Sequence, residues 1–294
     1  MNRTEIIETE TGKVGYMLVN TFSPFESETA LHEAFTELEN EEIDDLVLDL
    51  RYNGGGLIAV AAQLGYMIAG EDRTEDKTAS LLQYNEAAGN TDPTDGGSIV
   101  QPIPFIDTGV GFTLPTSTDL ATVDLPRVFI LTTGSTCSAS ELVINSLLGI
   151  DYEVILIGDT TCGKPYGFLP TDNCGQTYYT IQFRSVNDKG FGDYSDGFSP
   201  SDSTNTASVK APGCTVGDDL GKELGDPEEA LFAAALHYRD NDSCPIVAAT
   251  KTYVRPEAKT HGSVDNGYAL KAKGDPFEIT VDSFLDATMP SDAP

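Results

Sequence analysis

The sequence predicts an α/β fold in which a mainly parallel, buried sheet is flanked by helices and bordered by antiparallel edge strands. Three short apolar strands predict this fold, at 44–50, 127–133 and 152–158, and each ends in a loop rich in Gly, Ser or Thr. The first two strands run into apolar helices, which is the element order of α/β proteins. Sites in such sheets form outside the carboxyl ends of the strands, so we expect the three loops to converge.

The elements follow from local pattern. "KVGYMLVNTF" (13–22) predicts a strand, and the apolar spacing of 26–42 predicts an amphipathic helix. The strand at 44–50 leads through the glycines of "NGGG" to a helix at 57–69, and the strand at 127–133 leads to a helix at 138–149. The C-terminal half adds the alternating strand 177–187, predicted at a sheet edge, and a helix at 225–239 with Asp226 as its N-cap.

The remaining segments show weaker patterns. Residues 71–100 are polar, with a loop predicted at "NTDPTDGGS"; residues 101–125 are mixed and could hold a hairpin, and 188–217 are predicted as a long loop region. We expect one core domain over 1–244 and an acidic C-terminal extension over 245–294.

The charge restricts the partners. The 294 residues include 47 acidic and 17 basic side chains, for a net charge of −30. This balance argues against nucleic acid and anionic lipid as partners. The apolar stretch 56–70 is too short to span a bilayer, so no membrane span is expected. The N-terminus shows no targeting segment, and our hypothesis is that such a segment has been removed.

Five cysteines indicate the compartment. We predict disulfides between Cys162 and Cys174 and between Cys214 and Cys244, with Cys137 left as a free thiol. These bonds would place the protein outside the cytoplasm. The alternative is five reduced thiols in a cytosolic protein, because pairing cannot be deduced from sequence. With no CxxC motif and only three histidines, no metal site is predicted.

Two of the three loops contain groups that could bind a ligand or catalyse a reaction. The amides of "NGGG" could bind phosphate or stabilise an oxyanion, although the spacing matches neither nucleotide-binding motif and a simple tight turn is the alternative. Lys164 follows the third strand; a surface lysine is the ordinary interpretation. Paired with a serine of "TTGSTCSASEL" (132–142), it would form a Ser–Lys dyad, the acyl-transfer arrangement that needs no histidine.

Three ordered motifs, "LVLDLRYNGGG", "GSTCSASELV" and "IGDTTCGKP", resemble those of the C-terminal processing peptidases, also called tail-specific proteases. The resemblance covers roughly 13–240 and implies a core of the Clp protease/crotonase type. It implies Ser138 as the nucleophile, Lys164 as the general base, and the amides of Gly55 and Ala139 as the oxyanion hole. It also implies a group of supporting residues: Arg51, Asn53, Gly54, Gly56, Glu141, Thr161, Gly163 and Tyr166.

Two features depart from the family pattern. Members often carry a glutamine four residues after the lysine to orient it, and this chain has Phe168 there; Tyr166 or Thr161 could take that role. The peptide-binding PDZ domain that usually precedes the core has no room in this chain.

The resemblance implies a serine endopeptidase that needs no cofactor and cleaves polypeptides, at unfolded or C-terminal segments. One alternative is a catalytically idle module that binds peptides or apolar ligands. Another is an acyl-CoA enzyme with the same kind of oxyanion loop, which the acidic charge disfavours. The oligomeric state is not predicted.

Overall fold

The structure, a computed structural model, describes residues 3–87, 89 and 102–246. Its strands are β1 (Arg3–Thr9), β2 (Gly12–Leu18), β3 (Asp45–Asp49), β4 (Thr78–Tyr84), β5 (Pro102–Pro104), β6 (Arg127–Thr132), β7 (Glu153–Gly158), β8 (Tyr166–Asn173), β9 (Gln176–Val186), β10 (Phe198–Pro200), β11 (Val209–Ala211) and β12 (Gly213–Thr215). Its helices are α1 (Glu26–Asn40), α2 (Ile58–Ala69), α3 (Glu71–Thr74), α4 (Ala139–Gly149) and α5 (Ala230–Asn241).

The main sheet has six strands in the order β1-β2-β3-β6-β7-β12. All neighbours pair in parallel except β1, which runs antiparallel to β2 at the edge. Successive side chains of a strand point to opposite faces. In β3, Leu46 and Leu48 join the core that includes α1, α2 and α4, while Val47 joins the core that includes α5. The predicted α/β class is confirmed.

The carboxyl ends of β3, β6 and β7 lie at one edge of this sheet. Asp49 of β3 pairs with Leu131 of β6, and Thr132 of β6 pairs with Gly158 of β7. The three loops that follow these strands therefore start side by side, as the sequence predicted.

A smaller antiparallel sheet has the order β5-β4-β9-β8. The strand predicted at 177–187 corresponds to β9, but its predicted edge position is wrong, because β9 lies between β4 and β8. The edge is β8, which begins two residues after Lys164. This sheet therefore continues directly from the third loop.

Several predicted boundaries need correction. The polar segment 71–100, for which the sequence predicts no helix or strand, contains α3 and β4, and the loop predicted over 188–217 contains β10, β11 and β12. The loop predicted at "NTDPTDGGS" lies outside the described residues. The last helix begins at Ala230, where the Glu229 side chain accepts hydrogen bonds from the amides of Leu231 and Phe232. Glu229 is therefore the N-cap, and Asp226 is not.

Most of the predicted extension, from 247 onward, lies outside the described residues, as do 90–101. The division at 244 therefore stays a prediction. Among the described helices, none is long and apolar enough to cross a membrane.

Candidate active site

Ser138 occupies the turn between β6 and α4 in an unusual backbone conformation. Its φ of 55° and ψ of −113° make it one of the few non-glycine residues with a positive φ. Such conformations cost free energy and occur often at functional sites. A sharp strand-to-helix turn is also how α/β-hydrolases present a nucleophile. The half-buried Ser138 is thus the serine of this loop whose backbone is held under strain.

The serine loop is fixed to the end of β3 by hydrogen bonds. The carbonyl oxygen of Asn53 accepts from the Cys137 amide and from the Ser140 hydroxyl, each at 3.0 Å. The Thr136 hydroxyl donates to the carbonyl oxygen of Leu50 at 2.8 Å. Ser140 is therefore used to join the first and second loops.

Glu141 joins the second and third loops. Its side chain is fully buried, and its Oε2 accepts from the amides of Ser138 (3.0 Å) and Lys164 (2.8 Å). Its Oε1 accepts from the Gly163 amide (2.7 Å) and from the Thr161 hydroxyl (2.6 Å). The backbone amides of the predicted nucleophile and the predicted base thus share one carboxylate oxygen.

Burial raises the pKa of the Glu141 carboxyl above its ordinary value, and the four hydrogen bonds it accepts act in the opposite direction. A carboxylate accepts from all four donors at once, whereas a protonated carboxyl gives up part of that capacity. The ionised form is therefore the one that satisfies the observed contacts.

The third loop positions Lys164 beside an aromatic ring. The Lys164 Nζ lies 5.4 Å from the centroid of Phe168 in β8, the residue at the position of the family's glutamine. Thr161 contacts Glu141, and its hydroxyl accepts from the Phe198 amide at 2.8 Å. Tyr166 is exposed at the start of β8.

The glycine loop lies against the serine turn. A Cβ on Gly55 would lie 2.7 Å from the Ser138 Cβ and 2.9 Å from the Ala139 nitrogen. The Gly55 amide, predicted as an oxyanion donor, donates to Asn53 Oδ1 at 2.9 Å. Ala139 is the first residue of α4, and its amide therefore has no acceptor within the helix. The Ala139 amide therefore fits the predicted role of oxyanion donor better than the Gly55 amide, which already donates to Asn53.

A buried ion network holds the start of the glycine loop. The Arg51 guanidinium donates to Asp49 (2.7 Å) and to Glu229 (2.8 Å), and all three side chains are fully buried. The Tyr16 hydroxyl donates to Asp49 at 2.6 Å. The predicted supporting role of Arg51 therefore involves Asp49 and Glu229, which the sequence analysis did not identify.

The structure pairs the cysteines differently from one prediction. Cys137 is bonded to Cys162, with a Cα–Cα distance of 5.2 Å, and Cys174 is an exposed free thiol. The predicted Cys162–Cys174 bond is wrong, because the Cys162 sulfur is bonded to Cys137, and Cys174 lies in the turn between β8 and β9. Cys214 is bonded to Cys244, the other pairing predicted.

One set of potential metal ligands in the described part of the chain is Cys137, Glu141 and Cys162. The two sulfur atoms are bonded to each other and Glu141 accepts four hydrogen bonds, so this set is already engaged in other contacts.

The sequence of this chain matches a known protein family. The family model described as peptidase family S41 matches residues 13–172, more than half of the chain. The chain belongs to peptidase family S41. This confirms the family that the three motifs indicated, and it supports a serine-type peptidase function.

A solved S41 structure has a similar fold, and a second protease structure is a weaker match. A putative S41 protease from Bacteroides fragilis is 26% identical, with a TM-score of 0.63 over 82% of this chain and 58% of that one. The photosystem II D1 C-terminal processing protease is 24% identical, with a TM-score of 0.46 over 68% of this chain and 42% of that one. This chain thus spans less than two thirds of either protein. A search of curated proteins finds no significant match.

Proposed function

We propose that this S41 chain is a serine endopeptidase in which Ser138 is the nucleophile and Lys164 the general base. The observation that carries the proposal is the carboxylate of Glu141, which brings the amides of both residues to one oxygen. The strained turn at Ser138 supports the same assignment. The chemistry would be acyl transfer without histidine.

The reaction has two steps. The Ser138 hydroxyl attacks the substrate carbonyl carbon while Lys164 takes its proton, and the Ala139 amide donates to the developing oxyanion at the N-terminus of α4. Lys164 then returns the proton to the leaving amine as the peptide C–N bond breaks. Water, deprotonated by Lys164, cleaves the acyl-enzyme and regenerates Ser138.

The expected substrates are polypeptides, at unfolded or C-terminal segments. The test is digestion of casein by the wild type and by Ser138→Ala and Lys164→Ala. We expect each substitution to lower the cleavage rate by at least about 10³-fold, because members of a catalytic set fail together. Ser135, exposed on the same loop, provides the control, and Ser135→Ala should retain wild-type activity. Full activity of either dyad variant would disprove the dyad.

The contact between Lys164 and Phe168 favours one alternative, a catalytically idle module that binds peptides. A phenyl ring cannot orient an amine by hydrogen bonding as a glutamine amide does. A fluorophosphonate probe followed by mass spectrometry separates the two functions. The peptidase forms an adduct at Ser138, and the idle module forms none.

We also propose that the protein works outside the cytoplasm, because disulfides persist in oxidising compartments. Fractionation of the native host, with thiol alkylation before lysis, tests this. Recovery in the cytosolic fraction with reduced thiols would contradict it.

A further inference from the structure

The Cys137–Cys162 disulfide joins the two loops that carry the proposed dyad. Cys137 directly precedes Ser138, and Cys162 lies two residues before Lys164. The bond spans a sequence separation of 25 residues, a segment that includes α4 and β7. It is therefore a covalent link across the site, placed next to both reacting residues.

The two disulfides differ in their access to solvent. Cys162 is exposed and its partner Cys137 is half-buried, whereas Cys214 is 1% exposed and its partner Cys244 is half-buried. Thiol–disulfide exchange requires a thiolate to reach one of the two sulfur atoms. A soluble reductant thus reaches Cys162 more easily than either cysteine of the Cys214–Cys244 bond.

Noncovalent contacts would hold the loops after the bond opens. Glu141 keeps its bonds to the amides of Ser138 and Lys164, and the Cys162 amide donates to the carbonyl oxygen of Thr136 at 3.0 Å. The fold should therefore survive reduction. The relative placement of the two loops would loosen, and small displacements of reacting groups cost large factors in rate.

We propose that the Cys137–Cys162 pair is a redox-controlled crosslink that makes the peptidase active when oxidised and nearly inactive when reduced by a dithiol. This inference rests on the proposed function of Ser138 and Lys164. It would keep the chain inactive in the reducing compartment where it is synthesised and activate it where disulfides form.

Reduction of the Cys137–Cys162 bond by a dithiol takes two thiol–disulfide exchange steps. One thiolate of the dithiol attacks the Cys162 Sγ, which forms a mixed disulfide and releases Cys137 as a thiolate. The second thiol of the same reductant, as its thiolate, attacks the reductant sulfur of the mixed disulfide and releases Cys162. The protein gains two electrons and, on protonation, two thiols, while the reductant becomes a cyclic disulfide.

The test uses the full chain carrying Cys174→Ser, which removes the exposed free thiol without touching either bond. Casein cleavage is measured before and after treatment with dithiothreitol under native conditions. Alkylation and mass spectrometry identify the cysteines that were opened, and circular dichroism checks the fold. We expect opening of Cys137–Cys162 alone, an intact fold, and a loss of rate of at least about tenfold that reoxidation reverses.

Two variants complete the design. Cys137→Ala/Cys162→Ala should cleave as slowly as the reduced protein and should not respond to dithiothreitol. Cys214→Ala/Cys244→Ala should respond as the parent does. Equal activity of the oxidised and reduced proteins, or a Cys137–Cys162 bond that native reduction cannot open, would overturn the redox inference. An oxidised parent no more active than Ser138→Ala would instead overturn the proposed function.

Discussion

A substitution at Gly55 tests whether the glycine loop must stay in close contact with Ser138, the proposed nucleophile. Its φ of 106° is unfavourable for any side chain, and an added Cβ would lie 2.7 Å from the Ser138 Cβ. We expect Gly55→Ala to lower kcat by at least about 10²-fold, since it displaces the serine turn. The measurement is steady-state cleavage of a peptide substrate.

The neighbouring glycine supplies the control. A Cβ on Gly54 would meet nothing within 4 Å. Gly54→Ala should therefore leave kcat within about threefold of the wild type, since exposed substitutions of this kind perturb little. Equal losses in the two variants would show that general loop flexibility matters, and not the contact with Ser138.

A substitution at Glu141 tests whether its carboxylate positions the two residues of the proposed dyad. In Glu141→Gln the side chain keeps its size, but an NH2 group replaces one of the two carboxylate oxygens. That NH2 group cannot accept the hydrogen bonds that the backbone amides of Ser138, Gly163 and Lys164 donate to the carboxylate. We expect kcat to fall by at least about tenfold with KM nearly unchanged, because the lost contacts place catalytic groups and do not bind substrate. A change confined to KM, with kcat intact, would contradict a positioning role.

At the scale of elements, the Arg51 network connects the end of β3 to the start of α5. Arg51 pairs with Asp49 and with Glu229, which is also the N-cap of α5. Removal of the guanidinium leaves two buried carboxylates without a counter-ion. We expect Arg51→Ala to lower the free energy of unfolding by about 3–5 kcal/mol, measured by urea denaturation.

Arg73 is the matched control. Its ion pair with Asp124 is partly exposed on both sides. Arg73→Ala should cost less than about 1 kcal/mol, the range of surface pairs. If the two variants lost similar amounts, burial would not be what makes the Arg51 network stabilising.

The elements also show which features the sequence reveals. The strands β3, β6 and β7 are continuous apolar segments buried on both faces. Such a segment can be predicted as a strand from a short window of sequence. The strand β8, "YGFLPTDN", contains Gly, Pro, Asp and Asn, which disfavour strands, and it forms as an edge strand against β9. In β4 the buried Ser80 bonds to the Ser185 hydroxyl of β9 at 2.7 Å, so a polar residue occupies a core position.

The site likewise contains some features that the sequence reveals and others that only the fold reveals. The motifs are enough to propose Ser138 and Lys164, but the Cys137–Cys162 bond depends on the parallel pairing of β6 with β7, which brings their loops together. The spacing of cysteines along the chain contains no such information. Glu229, the partner of Arg51 at the N-cap of α5, is likewise 178 positions away in sequence, so only the fold identifies it.

For the whole molecule, charge is the property that sets the expected response to salt. The net charge of −30 creates mutual repulsion that favours expanded states. Salt shortens the screening length from about 10 Å at 0.1 M to about 3 Å at 1 M. The same screening weakens exposed ion pairs, but each of those contributes under about 1 kcal/mol. Relief of the repulsion should therefore be the larger effect.

We expect the melting temperature to rise between about 0.05 M and 1 M NaCl, with most of the rise at the low end, where screening changes fastest. Differential scanning calorimetry measures it. Sucrose, which stabilises proteins by exclusion and does not screen charge, is the control. A rise that grows linearly with NaCl, without the early steep part, would indicate preferential exclusion instead of screening. A falling melting temperature would mean that ion pairs such as Lys77–Asp188 outweigh the excess of acidic groups.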